Sequence, residues 1–169
     1  MIKQVLWAGF DRLELSPSFF KHVLLVGYTN GFQVLDVEDA PNVSELVSRR
    51  DDPATFLQMQ PLPAESAAGQ EGFGASHPIL LVVACDETQS SGLMQSGRNG
   101  LVRDGYPNGH SENITLSPTA VRFYSLKSRS YVHVLRFRST VYMIRCSPKI
   151  VAVGLASQVS LYYAHEYYL

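Results

Sequence analysis

The sequence predicts an all-β fold, and three observations carry that prediction. Short β-branched and aromatic runs recur along the 169 residues, and no stretch keeps a helical period. The runs are separated by Gly, Pro, Asn and Ser, the residues that turn a chain. One pair of runs flanks Asn30-Gly31, the strongest short hairpin signal, because both residues tolerate positive φ.

Val5 to Leu13 reads as a first strand, and His22 to Tyr28, with its apolar centre Val23 to Gly27, as a second. Phe32 to Val37 follows the turn Thr29-Asn30-Gly31. In that strand Phe32, Val34 and Asp36 share one face, and Gln33, Leu35 and Val37 share the other. Apolar residues on both faces predict a strand covered on both sides. Ser44 to Ser48 completes the unit.

A second unit opens with Thr55 to Gln60, closed by Pro61-Leu62-Pro63. His77 to Asp86 is almost continuously apolar, as expected of a strand buried on both faces. Thr119 to Leu126 and Tyr131 to Arg138 read as a hairpin around Lys127-Ser128-Arg129-Ser130. Alternation places Tyr131, His133, Leu135 and Phe137 on one face, and Val132, Val134, Arg136 and Arg138 on the other. A third unit follows: Val141 to Cys146, the turn Ser147-Pro148-Lys149, Ile150 to Ala156, and Gln158 to Tyr163. Two stretches read as loops, 64–76 and 87–117. The second is rich in Ser, Gly, Asn and Gln and is expected to be disordered.

The three units align strand for strand. Four antiparallel strands in about 40 to 45 residues is the period of a propeller blade. Asp36, closing the third strand, stands where WD repeats carry the aspartate of Trp-Asp, with Leu35 in place of Trp. The expected architecture is a partial WD-repeat-like β-propeller of about two and three-quarter four-stranded blades. Blade one is placed at 4–51 and blade two at 53–139, with the loops 64–76 and 87–117 inside it. An incomplete blade three is placed at 141–169. A closed propeller takes roughly four to eight blades, so this many alone would leave blade faces open.

Composition narrows the function. Hydrophobic residues make up 46% of the chain, enough for a packed core. The longest apolar run, Ile79 to Cys85, is far short of the about 20 residues of a spanning helix. The first ten residues lack the apolar stretch of a secretory signal, so a cytosolic chain is expected. In that setting Cys85 and Cys146, each inside an apolar run, read as buried reduced thiols. Residues 1–87 carry five basic and twelve acidic side chains, net −7; residues 88–169 carry nine and three, net +6. The second half therefore either offers a basic face or pairs with the acidic half.

No enzyme constellation stands out. There is no His-Glu-x-x-His, Gly-x-Ser-x-Gly, Walker loop or Cys-x-x-Cys, and the five histidines lack metal-ligand spacing. No catalytic residue, metal or cofactor is expected. Asp36, Glu38 and Asp39 read as a solvated strand end, and His133 as a core or surface histidine rather than a pH sensor. Arg136, Arg138, Arg145 and Lys149, near the junction of the second and third units, are the best basic-patch candidates. No nucleic-acid motif accompanies them, so nucleic acid is not an expected partner.

The stretch Lys21 to Val37 (KHVLLVGYTNGFQVLDV) resembles the first blade of autophagy-related protein 18 homologues, PROPPIN-like WD-repeat propellers. It is most similar to the plant subgroup that also carries a breast-carcinoma-amplified-sequence-3 domain. Leu46 to Pro53, Phe56 to Pro61, Val121 to Leu126, Tyr131 to Ser139 and Val141 to Ala156 extend the resemblance over most of the chain outside the loops. The resemblance implies a non-enzymatic seven-bladed propeller. Such proteins bind membranes containing phosphatidylinositol 3-phosphate or phosphatidylinositol 3,5-bisphosphate. It implies autophagy protein partners, and a cytoplasmic protein peripheral on preautophagosomal, endosomal or vacuolar membranes. In that family a Phe/Leu-Arg-Arg-Gly motif in a later blade binds the lipid. This sequence lacks it; Arg49-Arg50 precedes Asp51-Asp52 and reads as a charged turn. The expectation is an N-terminal piece, truncated before the lipid-binding motif. The alternative is a protein-interaction scaffold working through an open propeller edge or the 87–117 loop.

Overall fold

The computed structural model describes residues 4–63, 76–87 and 116–164. Apart from residues 76, 87 and 116–117, the two expected loops lie outside the described residues. The described chain is a succession of antiparallel strands in three sheets. Sheet one holds β1 (Val5–Ser16), β2 (Phe19–Tyr28), β3 (Gly31–Asp36) and β4 (Ser44–Arg49). Sheet two holds β5 (Ala54–Met59), β6 (Leu80–Cys85), β7 (Ala120–Ser125) and β8 (Ser130–Arg136). Sheet three holds β9 (Val141–Cys146), β10 (Ile150–Leu155) and β11 (Val159–Tyr163). Within each sheet every strand pairs with the next in sequence, and among the described residues a single 3₁₀ turn, Ala40–Asn42, falls between strands.

The sheets stack face to face, with β5 against β1 and β2, and β9 against β5 and β6. The first strands thus lie together at the centre and the later strands fan outward, as in propeller blades. Sheet two is the middle layer. The period of two in β6 sends Leu81 and Val83 into the core shared with sheet one, beside Val23, Leu25, Phe32 and Val34. Leu80, Val82 and Ala84 enter the core shared with sheet three, beside Ile144, Val151 and Val153. Every residue of β6 is buried, which is why its sequence is continuously apolar. Each such Val or Leu is worth about 1.5–3 kcal/mol on burial.

The pairing registers superpose the sheets residue for residue. Arg12 faces His22, Met59 faces Leu81, and Cys146 faces Val151. Those pairs define one repeat position; the residues before them, Asp11, Gln58 and Arg145, define the next. One residue further back stand Phe10, Leu57 and Ile144. Leu57 and Ile144 are 3% and 2% exposed against the preceding sheet, whereas Phe10, against which no sheet packs among the described residues, is 78% exposed.

Four sequence expectations need correction. First, β3 is covered on one face only. Phe32 and Val34 are fully buried, while Gln33 and Leu35 are half-buried, with no sheet among the described residues packed on that face. Second, the β2–β3 turn is Thr29-Asn30, since Tyr28 pairs with Gly31. Of Thr29, Asn30 and Gly31, Gly31 alone has positive φ (128°), and a Cβ there would strike the Arg49 carbonyl. Third, the faces of β8 do not alternate throughout. Phe123 pairs with His133 but Tyr124 with Tyr131, a β-bulge that inserts Val132. Tyr131 therefore packs toward sheet one, and Leu135 and Phe137 toward sheet three. Fourth, β1 and β2 run past their expected ends and close only at Pro17-Ser18, because Leu13 through Ser16 keep pairing with Lys21 through Phe19.

Candidate functional site

The central strands carry polar side chains at positions that face the next sheet. Asp11 of β1 accepts the Met59 N–H of β5 through Oδ2 at 2.8 Å, and the Arg12 N–H through Oδ1 at 2.7 Å. Gln58 of β5 stands at the same repeat position and accepts the Cys146 N–H of β9 through Oε1 at 3.0 Å. Glu14 accepts the Leu62 N–H at 2.8 Å, and the Gln60 side-chain amide donates to the Ser147 carbonyl. Sheets one and two thus each reach for the next sheet's backbone from, or just past, their innermost strands. Such bonds satisfy N–H groups that in-sheet pairing leaves open. Between these strands runs a cleft of about 310 Å³, bordered by Trp7, Phe10, Asp11, Gln58, Tyr142 and Arg145.

A second polar cluster closes the outer side of the junction between sheets one and two. Arg122 of β7, mostly buried, holds Asp52 at 2.6 Å and Glu87 at 2.8 Å. Arg136 holds the other oxygen of Glu87 at 2.8 Å. Arg49 lies 3.5 Å from Asp51, whose carboxylate accepts the Tyr131 hydroxyl at 2.9 Å. The Arg122 guanidinium sits 5.2 Å from the Tyr131 ring. Burial pushes the Glu87 carboxyl up, but the hydrogen bonds from Arg136 and Arg122 outweigh it and hold it below its usual value. Burial alone would ease the proton off Arg122; Glu87 and Asp52 reverse that and raise its pKa. Two bases of the second half, Arg122 and Arg136, are thus paired with two acids of the first, Asp52 and Glu87.

The four basic candidates are not gathered into one patch. Arg136 is tied to Glu87. Arg138 is exposed just beyond β8, at the end where β9 begins. Lys149 is exposed in the turn at the other end of β9, about 16 Å away along a six-residue strand. Arg145 projects from β9 on the face turned away from sheet two, and its Nη1 donates to the Ile144 carbonyl at 2.8 Å. Arg49 and Arg50 instead sit near aromatic rings, Arg50 5.8 Å from that of Tyr28.

The remaining sequence candidates are locally engaged. Asp36 pairs with Lys21 at 2.7 Å and Asp39 accepts from Asn42 at 2.6 Å. Glu38 pairs with His22 at 2.7 Å. His133 stands 5.5 Å from the Phe123 ring, and burial lowers its pKa. Cys85 and Cys146 are free thiols in different sheets, each pushed up to about 12 by burial, which makes them poor nucleophiles at neutral pH. Among the described residues no three His, Cys, Asp or Glu side chains cluster as metal ligands, and no helix is long and apolar enough to cross a membrane. The staples of Asp11 and Gln58 and the hub at Arg122 escaped the sequence reading. Their only signal was a polar residue inside an apolar strand.

Comparison with known proteins agrees with this geometry. Residues 10–168 match the family described as BCAS3, WD40 repeat. Autophagy-related protein 18h of Arabidopsis thaliana is 66% identical over 156 residues, covering 92% of this chain and 16% of that protein. Autophagy-related protein 18g of the same plant is 61% identical over 158 residues, covering 92% and 16%. Autophagy-related protein 18f is 42% identical over 159 residues, covering 94% and 19%. The chain thus spans less than a fifth of the length of these relatives. Among solved structures, Kluyveromyces lactis Hsv2 matches with a TM-score of 0.54 and 10% identity, over 98% of this chain and 34% of that one. Kluyveromyces marxianus Hsv2 matches with a TM-score of 0.53 and 9% identity, over 96% and 36%. At such identity the likeness speaks for the fold alone, a partial β-propeller. With almost its whole length matched by one family profile, the chain belongs to the BCAS3 WD40-repeat family.

Proposed function

We propose that these residues are the first blades of a non-enzymatic, phosphoinositide-binding β-propeller that acts in autophagy. The observation that carries this reading is the 66% identity to Autophagy-related protein 18h across nearly the whole chain. In this reading the protein is cytoplasmic and sits peripherally on preautophagosomal, endosomal or vacuolar membranes. Its ligands are phosphatidylinositol 3-phosphate or 3,5-bisphosphate headgroups, and autophagy proteins are its partners. The lipid site belongs to blades outside these 169 residues, since the paired-arginine motif is not in this sequence. A guanidinium pair suits that task because its planar forks bind phosphate in a bidentate way. The blades described here supply the scaffold. Arg138 and Lys149, exposed and without an ion pair among the described residues, add salt-sensitive attraction to anionic lipid of about 1 kcal/mol each.

Liposome flotation tests this. The 169-residue chain stays with the soluble fraction at physiological salt, with or without phosphatidylinositol 3-phosphate. The chain continued by the remaining sequence of Autophagy-related protein 18h floats only with the phosphoinositide. Flotation of the short chain would place the lipid site inside it, and failure of the long one would remove the lipid reading. A scaffold role is the second reading, favoured by the apolar face that sheet three leaves exposed. Most of the 87–117 segment, the other expected scaffold element, lies outside the described residues.

A further inference from the structure

In a longer propeller the outer face of sheet three meets a further β-sheet, and we propose that the innermost strand of that sheet presents a carboxylate to Arg145. This rests on the chain being part of a larger propeller. The argument begins with the repeat position shared by Asp11, Gln58 and Arg145. The first two accept a backbone N–H from the next sheet's inner strand. Arg145 has only donors. A sheet stacked on sheet three would complete the site by offering an acceptor where the two earlier sheets offered an N–H, since Arg145 otherwise borders only the open cleft. A carboxylate is the acceptor that also neutralises the charge and matches the guanidinium fork. Among the described residues Arg145 forms no ion pair; its bond is to the adjacent Ile144 carbonyl.

The surroundings fit a sheet rather than solvent. Met143, Val159, Leu161 and Tyr163 form an exposed apolar face around Arg145. Gly154 adds no bulk there, and the Met143 side chain lies over it. A second copy of this chain does not satisfy the site. Stacked head to tail, its sheet one would place Arg12 opposite Arg145, by the same register that sets Cys146 opposite Gln58. Two guanidinium groups would then meet across a desolvated interface. The Arg12 N–H is moreover already taken by Asp11. The relatives, more than five times as long as the matched segment, contain chain enough for further sheets.

The test uses this chain and, as a separate polypeptide, the part of Autophagy-related protein 18h that follows the matched segment. Binding is expected to weaken by about tenfold or more in Arg145→Glu and much less in Arg145→Lys. It is expected to return when an acidic residue of the probe's first strand is changed to Arg. Unchanged binding by Arg145→Glu overturns the proposal, as does a micromolar dimer of this chain in sedimentation. If the separate pieces do not fold, the two are joined in one polypeptide and unfolded thermally. Arg145→Glu must then lower the midpoint more than Arg138→Glu does, and equal effects overturn the proposal. The joined protein also separates this inference from the functional reading. Flotation with phosphoinositide and no effect of Arg145→Glu defeats the inference alone; destabilisation without flotation defeats the lipid reading alone.

Discussion

Sheets two and three share pairing registers over their first three strands, yet their outward residues meet opposite fates. Val121 and Phe123 of sheet two are fully buried. Val159 and Leu161 hold the same repeat positions in sheet three and are 62% and 64% exposed. Local sequence is alike in kind at these sites. What differs is a neighbour: among the described residues sheet two lies between two others, and sheet three is flanked on one face only. An apolar residue in a repeat is chosen for the face it will meet, and burial arrives only with the next repeat.

The largest effect that could break this comparison comes from one substitution made at both places. Phe123→Ala should cost about 3–5 kcal/mol, through lost burial and a residual cavity. Leu161→Ala should change stability by about 0.5 kcal/mol or less, as at a surface site. Urea unfolding of the two variants decides. A cost at Leu161 close to that at Phe123 would mean that the outer face of sheet three is covered in solution.

Next is the hub between sheets one and two. Arg122→Met leaves Asp52 without its counter-ion and Glu87 with Arg136 alone, in a largely buried place, and should cost about 3 kcal/mol. Acid titration sharpens the point. The folded carboxyl of Glu87 lies below its unfolded value, so its contribution is complete above the unfolded pKa and fades as pH falls through the folded one. Thermal midpoints should therefore drop on acidification below about pH 4.5, and Arg122→Met should flatten that drop. An equal slope in the variant would place the acid sensitivity elsewhere.

A smaller effect separates the inner staples from the apolar cores. Gln58→Ala strands the Cys146 N–H and should cost about 1–2 kcal/mol. Amide exchange at Cys146 should accelerate, while that at Val82 should slow or quicken only with global stability. The smallest effect concerns the outer hairpin of sheet two, where Arg129 has φ 53°. Arg129→Gly should stabilise by up to about 1 kcal/mol by relieving left-handed backbone strain. A loss of stability there would show that the Arg129 side chain contributes to the hairpin.

Several features were legible because they are local. Val141–Cys146 is the strand that a β-branched and aromatic run and the following Ser-Pro turn mark out. The β6 run is unbroken because both its faces are covered. The Asn30-Gly31 signal found the hairpin but misplaced the turn by one residue, since pairing of Tyr28 with Gly31 fixed it. The β8 bulge was not legible, because inserting Val132 is a property of the pair of strands rather than of either one. Arg122 looked like an ordinary strand residue. Its role comes from Asp52, seventy positions earlier, and from Glu87.

By itself the sequence determined the strand content, the order of strands, the repeat and the family resemblance. These follow from periodicity and turn chemistry, which act over a few residues, and from matched stretches. Tertiary structure alone decided which face of each strand is covered, which charges cancel across the halves, and that Asp11, Gln58 and Arg145 occupy one repeat position. Those outcomes depend on how whole sheets stack and on the register between them, and a side chain meets its partner there only after the chain has closed distances of tens of residues.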